Sequence, residues 1–249
     1  MEFCNVTAGY GKTPVLLNVS VTFRPGEITS VIGLNGSGKT TLLRCASRLM
    51  RPQSGTVTLD GTDIAAMKPK ELAQRIAILP QNRPVPDMRV ETMVLHGRYP
   101  HLHFGGSLTK EDYRIACEAM EQCGVYDLRA RNVRTLSGGE RQRAYIAMAA
   151  AQDTNWLLLD EPTASLDLPH RMAILQLLRT LCRRGKSILL VQHDLGDALS
   201  VSDRLVVMHE GRIRALGTPA EILDSGVLGK VFGIRVHRGE EGAFYFTPR

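Results

Sequence analysis

Residues 33–41 read Gly-Leu-Asn-Gly-Ser-Gly-Lys-Thr-Thr, and the fold follows from how this stretch is read. Gly33, Gly38, Lys39 and Thr40 occupy the fixed positions of the phosphate-binding pattern G-x-x-x-x-G-K-[ST]. The chemistry requires those residue types. Backbone N–H groups must close on phosphate oxygens, so side chains have to stay clear, and Gly36 and Gly38 allow this. Lys39 places a compact positive charge against the outer phosphates, and Thr40 offers a hydroxyl to Mg²⁺. The flanks agree. Residues 28–32, Ile-Thr-Ser-Val-Ile, read as a buried strand. Residues 41–46 open a helix whose positive dipole end faces the phosphates. The expected nucleotide-holding set is Gly33, Asn35, Gly36, Ser37, Gly38, Lys39, Thr40 and Thr41.

Composition bounds the rest. The chain has 249 residues, enough for one large domain or a core with a subdomain, and is 43% hydrophobic, as a globular protein is. Thirty-one basic residues stand against 25 acidic ones, a net charge of +6. The densest basic cluster is Arg183, Arg184 and Lys186, so the excess reads as spread over the surface and no nucleic-acid partner is expected. The five cysteines, at 4, 45, 117, 123 and 182, form no C-x-x-C pair, which suits reduced thiols and no zinc site. Residues 1–5 have neither the basic nor the apolar region of a secretory leader. No apolar run approaches the roughly 20 residues of a membrane helix.

Strand and helix signals alternate along the chain. Residues 1–33 read as β, with apolar–polar alternation over 16–23. Residues 55–61 form a short strand ending in an Asp-Gly turn, 70–75 a short helix, and 76–79 a strand ending at Pro80-Gln81. The pattern turns helical from 90 to 151, with helices at 90–98, 109–123 and 139–151 and loops at 100–108 and 133–137. Thr109 and Asp112 suit an N-cap and a first-turn acid. The α/β alternation then resumes with strands at 156–159, 187–191 and 204–208 and helices at 169–183 and 194–200. Met172, Leu175, Leu178 and Cys182 fall on one stripe of the first of these helices. Such alternation implies right-handed crossovers and a mainly parallel sheet. Residues 231–249 read as two short β segments around 238–242. Of the remaining singular residues, His101 and His103 read as loop surface, and Met88, Met93, Met120 and Met148 as core filling.

Two further stretches narrow the chemistry. Residues 157–162, Leu-Leu-Leu-Asp-Glu-Pro, end an apolar strand in two acids. Asp160 suits the Mg²⁺ shell, and Glu161 suits a general base acting on water. Residues 136–143, Leu-Ser-Gly-Gly-Glu-Arg-Gln-Arg, open a helix with free N–H groups and a hydroxyl, a second anion-binding start. One nucleotide has one terminal phosphate, and residues 33–41 already hold it. The second start therefore serves a nucleotide held by another subunit.

At Leu136–Ser137–Gly138–Gly139–Glu140 the sequence resembles the ATP-binding cassette family, and the resemblance covers essentially the whole chain. It implies an α/β fold: a RecA-like P-loop NTPase core with a mainly parallel sheet, an N-terminal antiparallel β subdomain and an inserted helical subdomain. The core would comprise 1–84 and 156–249, with the helical insert at 85–155. It also implies roles. Tyr10 looks like the aromatic that stacks on adenine, and Gln81 like the Q-loop residue that touches Mg²⁺ and the attacking water. Ala164-Ser165-Leu166-Asp167 resembles the D-loop, with the first two residues of the commoner Ser-Ala-Leu-Asp exchanged and Asp167 retained. His193 resembles the switch histidine at the γ-phosphate. Ser137, Gly138, Gly139 and Glu140 would meet the ATP of a partner copy. Mg²⁺ would lie near Thr40, Gln81 and Asp160.

About a hundred residues separate the phosphate loop from the 136–140 stretch, with no sustained heptads, unlike DNA-repair cassettes with their long coiled coils. One cassette without membrane helices looks like the ATPase subunit of a bacterial importer. Residues 94–101, Val-Leu-His-Gly-Arg-Tyr-Pro-His, resemble a segment of importers for iron–siderophore, haem and cobalamin, placed where the family docks a coupling helix of the permease. The tail from Val231-Phe232-Gly233 resembles the family ending. The resemblance thus implies MgATP hydrolysis by a homodimer on the cytoplasmic face of the inner membrane, held by permease subunits. An extracytoplasmic binding protein would be an indirect partner. The alternative is a non-transport cassette, such as a metal-cluster assembly factor, working with soluble partners.

Overall fold

The computed structural model describes residues 1–103, 106–238 and 244–248. By contacts the chain forms two compact units, Met1–Ala65 with Leu189–Arg249, and Ala66–Ile188. In the first, β1 (Glu2–Tyr10) and β2 (Thr13–Thr22) pair antiparallel, with Glu2 opposite Thr22 and Tyr10 opposite Thr13. Then come β3 (Ile28–Gly33) and α1 (Lys39–Ala46). β4 (Ser54–Leu59) pairs antiparallel with β1 and, across the tight Asp60-Gly61 turn, with β5 (Thr62–Asp63). Alternation works here because only one face is covered: Phe3, Val19 and Phe23 are buried, and the two phenylalanine rings meet edge-on at 5.9 Å.

β3 is different. All six of its residues are buried, and hydrogen bonds reach it at Ser30 and Ile28. Ser202 Oγ donates to Ser30 Oγ at 2.6 Å, and Ile28 N–H donates to Asp203 Oδ2 at 2.8 Å. A strand buried on both faces loses its period-two signal, which is why 28–32 reads as a continuous run.

The second unit contains α2 (Pro69–Ala73), β6 (Ile76–Leu79), α3 (Val90–Leu95), α4 (Lys110–Gln122), α5 (Gly138–Ala151), β7 (Trp156–Asp160), α6 (Leu168–Arg183) and the start of β8 (Ser187–Val191). β6 and β7 run parallel, Ile76 opposite Trp156 and Leu79 opposite Leu159. Thr109 and Asp112 cap α4 reciprocally, as the sequence suggested.

Several expectations need correction. The helix expected over 90–98 is α only to Leu95; His96–His101 continue as a 3₁₀ turn. Pro100 disfavours α geometry at Tyr99 and has no N–H to continue an α ladder. Arg98 is buried there. Its Nε donates to Asp112 Oδ1 at 3.0 Å and its Nη1 to the Ala151 carbonyl at 2.8 Å. His101 is half-buried and bonded through Nε2 to the Gln152 carbonyl at 2.8 Å, so it is structural and not loop surface. The 133–137 loop contains a 3₁₀ turn, Val133–Thr135. On α6, Leu175, Leu178 and Cys182 are buried but Met172 is 46% exposed. Met93 and Met120 fill core; Met88 and Met148 are half-buried.

Returning to the first unit, Asp194 caps α7 (Leu195–Val201). β9 (Arg204–His209) lies parallel to β3, Thr29 opposite Arg204 and Gly33 opposite Met208. β10 (Arg212–Gly217) returns antiparallel. α8 (Pro219–Asp224), α9 (Val227–Phe232), β11 (Ile234–Arg238) and β12 (Phe244–Pro248) follow. The sequence reading assigns nothing to 212–230, although Thr218, Pro219 and Glu221 make a capping box with proline at N1. The two β segments expected in the tail are present and pair as a hairpin, with Ile234 opposite Pro248; residues 239–243 lie outside the described residues. Its inner residues Ile234, Val236, Phe244 and Phe246 pack on a core that includes Ile32, Leu205 and Leu228. The five cysteines are free, and among the described residues no helix is long and apolar enough to cross a membrane.

Candidate nucleotide site

The phosphate loop leaves the buried end of β3 at Gly33 and turns tightly, Ser37 N–H donating to the Leu34 carbonyl at 3.1 Å. The α1 helix begins at Lys39 with Gly38 as N-cap at φ +103°, a conformation that side chains resist. No side chain caps α1, and its first turn holds no acid. The positive dipole end of α1 thus has no capping side chain and no carboxylate of its own first turn to balance it, which suits an anion. Lys39 is 5% exposed, and its Nζ donates to the carbonyls of Gly33 at 2.9 Å and Leu34 at 3.1 Å, so the ammonium lies back across its own loop. Ser37 Oγ is buried with no hydrogen-bond partner. An orphaned buried hydroxyl costs about 1–3 kcal/mol, and an anion is the group that would relieve it. Asn35 and Gly36 are exposed, Thr40 is half-buried and Thr41 is buried. These residues fit a phosphate.

Tyr10 ends β1 and is 52% exposed. Its hydroxyl accepts from Arg44 Nη1 of α1 at 2.7 Å, which ties an open aromatic surface to the helix behind the loop. Gln192 N–H donates to the Val31 carbonyl at 3.1 Å, so the chain passes close to the end of β3 just before the exposed His193. Asp194 follows at once as the cap of α7, accepting from Asp197 N–H at 2.9 Å.

In the second unit every residue of β7 is buried, including Asp160 at its end, 5% exposed. The register with β6 sets the next contact. Leu79 lies opposite Leu159, so two residues further on Gln81 and Glu161 emerge side by side. Gln81 Nε2 donates to Glu161 Oε2 at 2.5 Å. Glu161 has φ +51°, a left-handed conformation costing about 1–2 kcal/mol outside glycine. Strain of this kind persists where the surroundings fix a side chain's direction, and here the direction is onto Gln81.

The α5 start is built otherwise. Ser137 Oγ accepts from Glu140 N–H at 3.2 Å, and Glu140 Oε2 accepts from Ser137 N–H at 2.8 Å. The Ser137 bonds, with nearby Arg131, hold the Glu140 carboxyl below its ordinary range. Glu140 thus turns back to cap its own helix. A Cβ on Gly139 would lie 2.0 Å from Cδ2 of His170, so glycine there lets the imidazole pack against the helix start. His170 Nδ1 pairs closely with Asp167, the N-cap of α6, and these bonds lower the Asp167 pKa. Sequence reasoning missed His170. Its only signal was an Asp-x-x-His spacing at a helix start, which is weak.

Among the described residues no group of three or more His, Cys, Asp or Glu could hold a metal. Thr40 and Asp160 each offer a hard oxygen, the kind of donor that Mg²⁺ takes. The sequence profile of the ABC transporter family matches residues 16–164.

The chain belongs to the ABC transporter family.

It is 44% identical over 232 residues to the ferric enterobactin transport ATP-binding protein FepC of Escherichia coli K12, covering 92% of this chain and 86% of that protein. Among solved structures it is similar to a chain assigned to the metal-chelate type of ABC transporter, in an inward-facing conformation, with TM-score 0.84 and 26% identity over 100% of this chain and 96% of the other. A dimeric bacterial ABC transporter cassette matches with TM-score 0.75 and 27% identity, over 88% of this chain and 98% of that one.

Proposed function

We infer that this ABC transporter chain is the ATP-hydrolysing subunit that energises a membrane importer for iron–siderophore, haem or cobalamin type metal chelates. The bond from Gln81 to Glu161 carries the hydrolytic part, because it presents a carboxylate and an amide together at the buried strand's end. The similarity to a ferric enterobactin transport protein supports the cargo class.

The phosphate loop binds the phosphates of ATP through its uncapped N–H groups and Lys39, and Tyr10 receives the adenine. Thr40, Asp160 and the amide oxygen of Gln81 would hold Mg²⁺, which neutralises charge on the outer phosphates. Glu161 accepts a proton from the attacking water, Gln81 orients it, and His193 contacts the γ-phosphate. Two copies pair head to tail about a two-fold axis, so that Ser137, Gly138 and Gly139 of one copy meet the ATP on the other. Asp167 lies at that same interface. Closure follows from contacts that ATP makes only in the closed dimer, and it drives permease subunits on the cytoplasmic side of the inner membrane. An extracytoplasmic binding protein delivers the chelate to the permease.

Glu161→Gln tests this reading. The variant is expected to bind ATP, to hydrolyse it about 10²–10⁴-fold more slowly and to accumulate a closed dimer on size-exclusion chromatography. Wild-type turnover would remove Glu161 from the role of base.

A further inference from the structure

The segment that carries Gln81 has no regular secondary structure from Gln81 to Pro86, yet Gln81 must stay on Glu161 for the pair to act. The segment is held largely through side chains, and one residue makes most of the contacts. Arg83 Nη1 donates to the Pro80 carbonyl at 2.8 Å and closes a small ring of chain with Gln81 inside it. Arg83 Nη2 donates to Gln142 Oε1 on α5 in a close contact. The guanidinium also lies over the ring of Tyr145, 4.2 Å from its centroid. Tyr145 completes the clasp, its hydroxyl donating to the Pro84 carbonyl at 2.9 Å.

We propose that Arg83 is a positioning residue for hydrolysis: it fastens residues 80–84 to α5 and thereby keeps Gln81 against Glu161. The proposal rests on the reading of Glu161 as the base that acts on water. Arginine suits the task because its planar fork bonds two acceptors while its face stacks on an aromatic ring. Lysine would keep the charge and lose the fork. The anchor on α5 is specific. Gln142 is 9% exposed, and while its Oε1 takes the arginine, its buried Nε2 has no partner. A buried amide with one unsatisfied end is costly, and its retained use is the acceptor that faces Arg83. The sequence reading assigns no role to Arg83 or Tyr145.

The test is steady-state ATPase activity of the purified full chain, with nucleotide affinity from a fluorescent ATP analogue and thermal unfolding in parallel. Arg83→Met is expected to lower kcat about tenfold while KM and analogue affinity stay within about twofold, the size a misplaced catalytic group produces. Arg83→Lys recovers part of the loss. In a Gln81→Ala background, Arg83→Met lowers kcat no further, because residues acting through one another are not additive. A second fall as large as in the wild type would mean that Arg83 acts elsewhere and would overturn the proposal, as would an Arg83→Met variant with wild-type kcat. If Arg83→Met fails to fold, Tyr145→Phe carries the same comparison, since it removes only the bond to Pro84 and keeps the ring; a kcat unchanged by it and by Arg83→Lys overturns the proposal. A wild-type chain without ATPase activity, or Glu161→Gln at the wild-type rate, overturns the underlying hydrolytic reading and this proposal with it.

Discussion

Two helix starts in this chain, those of α1 and α5, are proposed to meet phosphate, and they are built in opposite ways. The α1 start has glycine as N-cap, no side-chain cap, no acid in the first turn and a buried lysine as its first residue. The α5 start caps itself twice, Ser137 on Glu140 N–H and Glu140 on Ser137 N–H. An uncapped start is unstable alone and gains most from an anion. A self-capped start is stable alone and has fewer donors left, here the Gly138 and Gly139 N–H groups and the hydroxyl proton of Ser137. The first design suits a site that captures nucleotide. The second suits a surface that must persist while its ligand is elsewhere and that completes a site only when a partner arrives. A third start, α4, uses the same capping-box chemistry as α5 through Thr109 and Asp112, but Asp112 is buried and also holds Arg98. There the motif is structural alone, so α4 serves as a control for the other two.

The largest effect is expected at that control. Asp112→Asn leaves Arg98 buried without its counter-charge, which costs about 3 kcal/mol, read as a lower unfolding midpoint in urea. Nucleotide affinity of the folded variant is expected to stay at the wild-type value. The acid limb gives the sign. Burial pushes the Asp112 carboxyl up, and the bonds from Thr109 and Arg98 outweigh it, bringing it down to about 2. A carboxyl lowered in the folded state stabilises above its unfolded pKa and loses that stability as pH falls through the folded one. The gap between wild type and variant therefore narrows as pH falls from 3.8 to about 2. A constant gap across that window would detach the helix start from its charge.

Lys39→Ala comes next and strikes the uncapped start. Removing a charged donor from phosphate costs about 2 kcal/mol, roughly thirtyfold in ATP affinity by titration calorimetry. Unchanged affinity would break the comparison, because α1 would then not be the start that captures nucleotide.

What the sequence revealed and what it hid divide along physical lines. The phosphate loop, the buried strands 28–32 and 156–159, the capped start of α4 and the opening of α5 at Ser137 were legible, because glycine, lysine and cap residues act locally at fixed spacing; the turn of Glu140 back onto Ser137 was not. The meeting of Gln81 with Glu161 was legible only as a resemblance. Its cause is a parallel register between β6 and β7, and a parallel pair is separated by too much chain for spacing to report it. The buried Arg98 was read as part of a docking segment, since charge in a sequence says exposed until a buried partner such as Asp112 is seen. His170 against Gly139 and Arg83 on Tyr145 were hidden for the same reason. Each depends on which helix faces which loop, and single residues carry no signal of that.

The smallest effect discriminates most. Ser137 caps α5 and is proposed to meet phosphate, and one substitution separates the two roles. Ser137→Ala loses both: about 1 kcal/mol of stability goes with the cap, and turnover falls with the hydroxyl. Ser137→Asp keeps the cap, since aspartate is as good an N-cap as serine, but it sets a carboxylate where the phosphate would come. The expected result is an unfolding midpoint close to wild type, ATP affinity of the isolated chain unchanged, and hydrolysis lost in a way that raising the protein concentration does not restore. Wild-type hydrolysis by Ser137→Asp would leave α5 as a capped structural helix like α4. Loss of ATP affinity together with hydrolysis would instead mean that the α5 start captures nucleotide from the outset, and the contrast between the two starts would collapse.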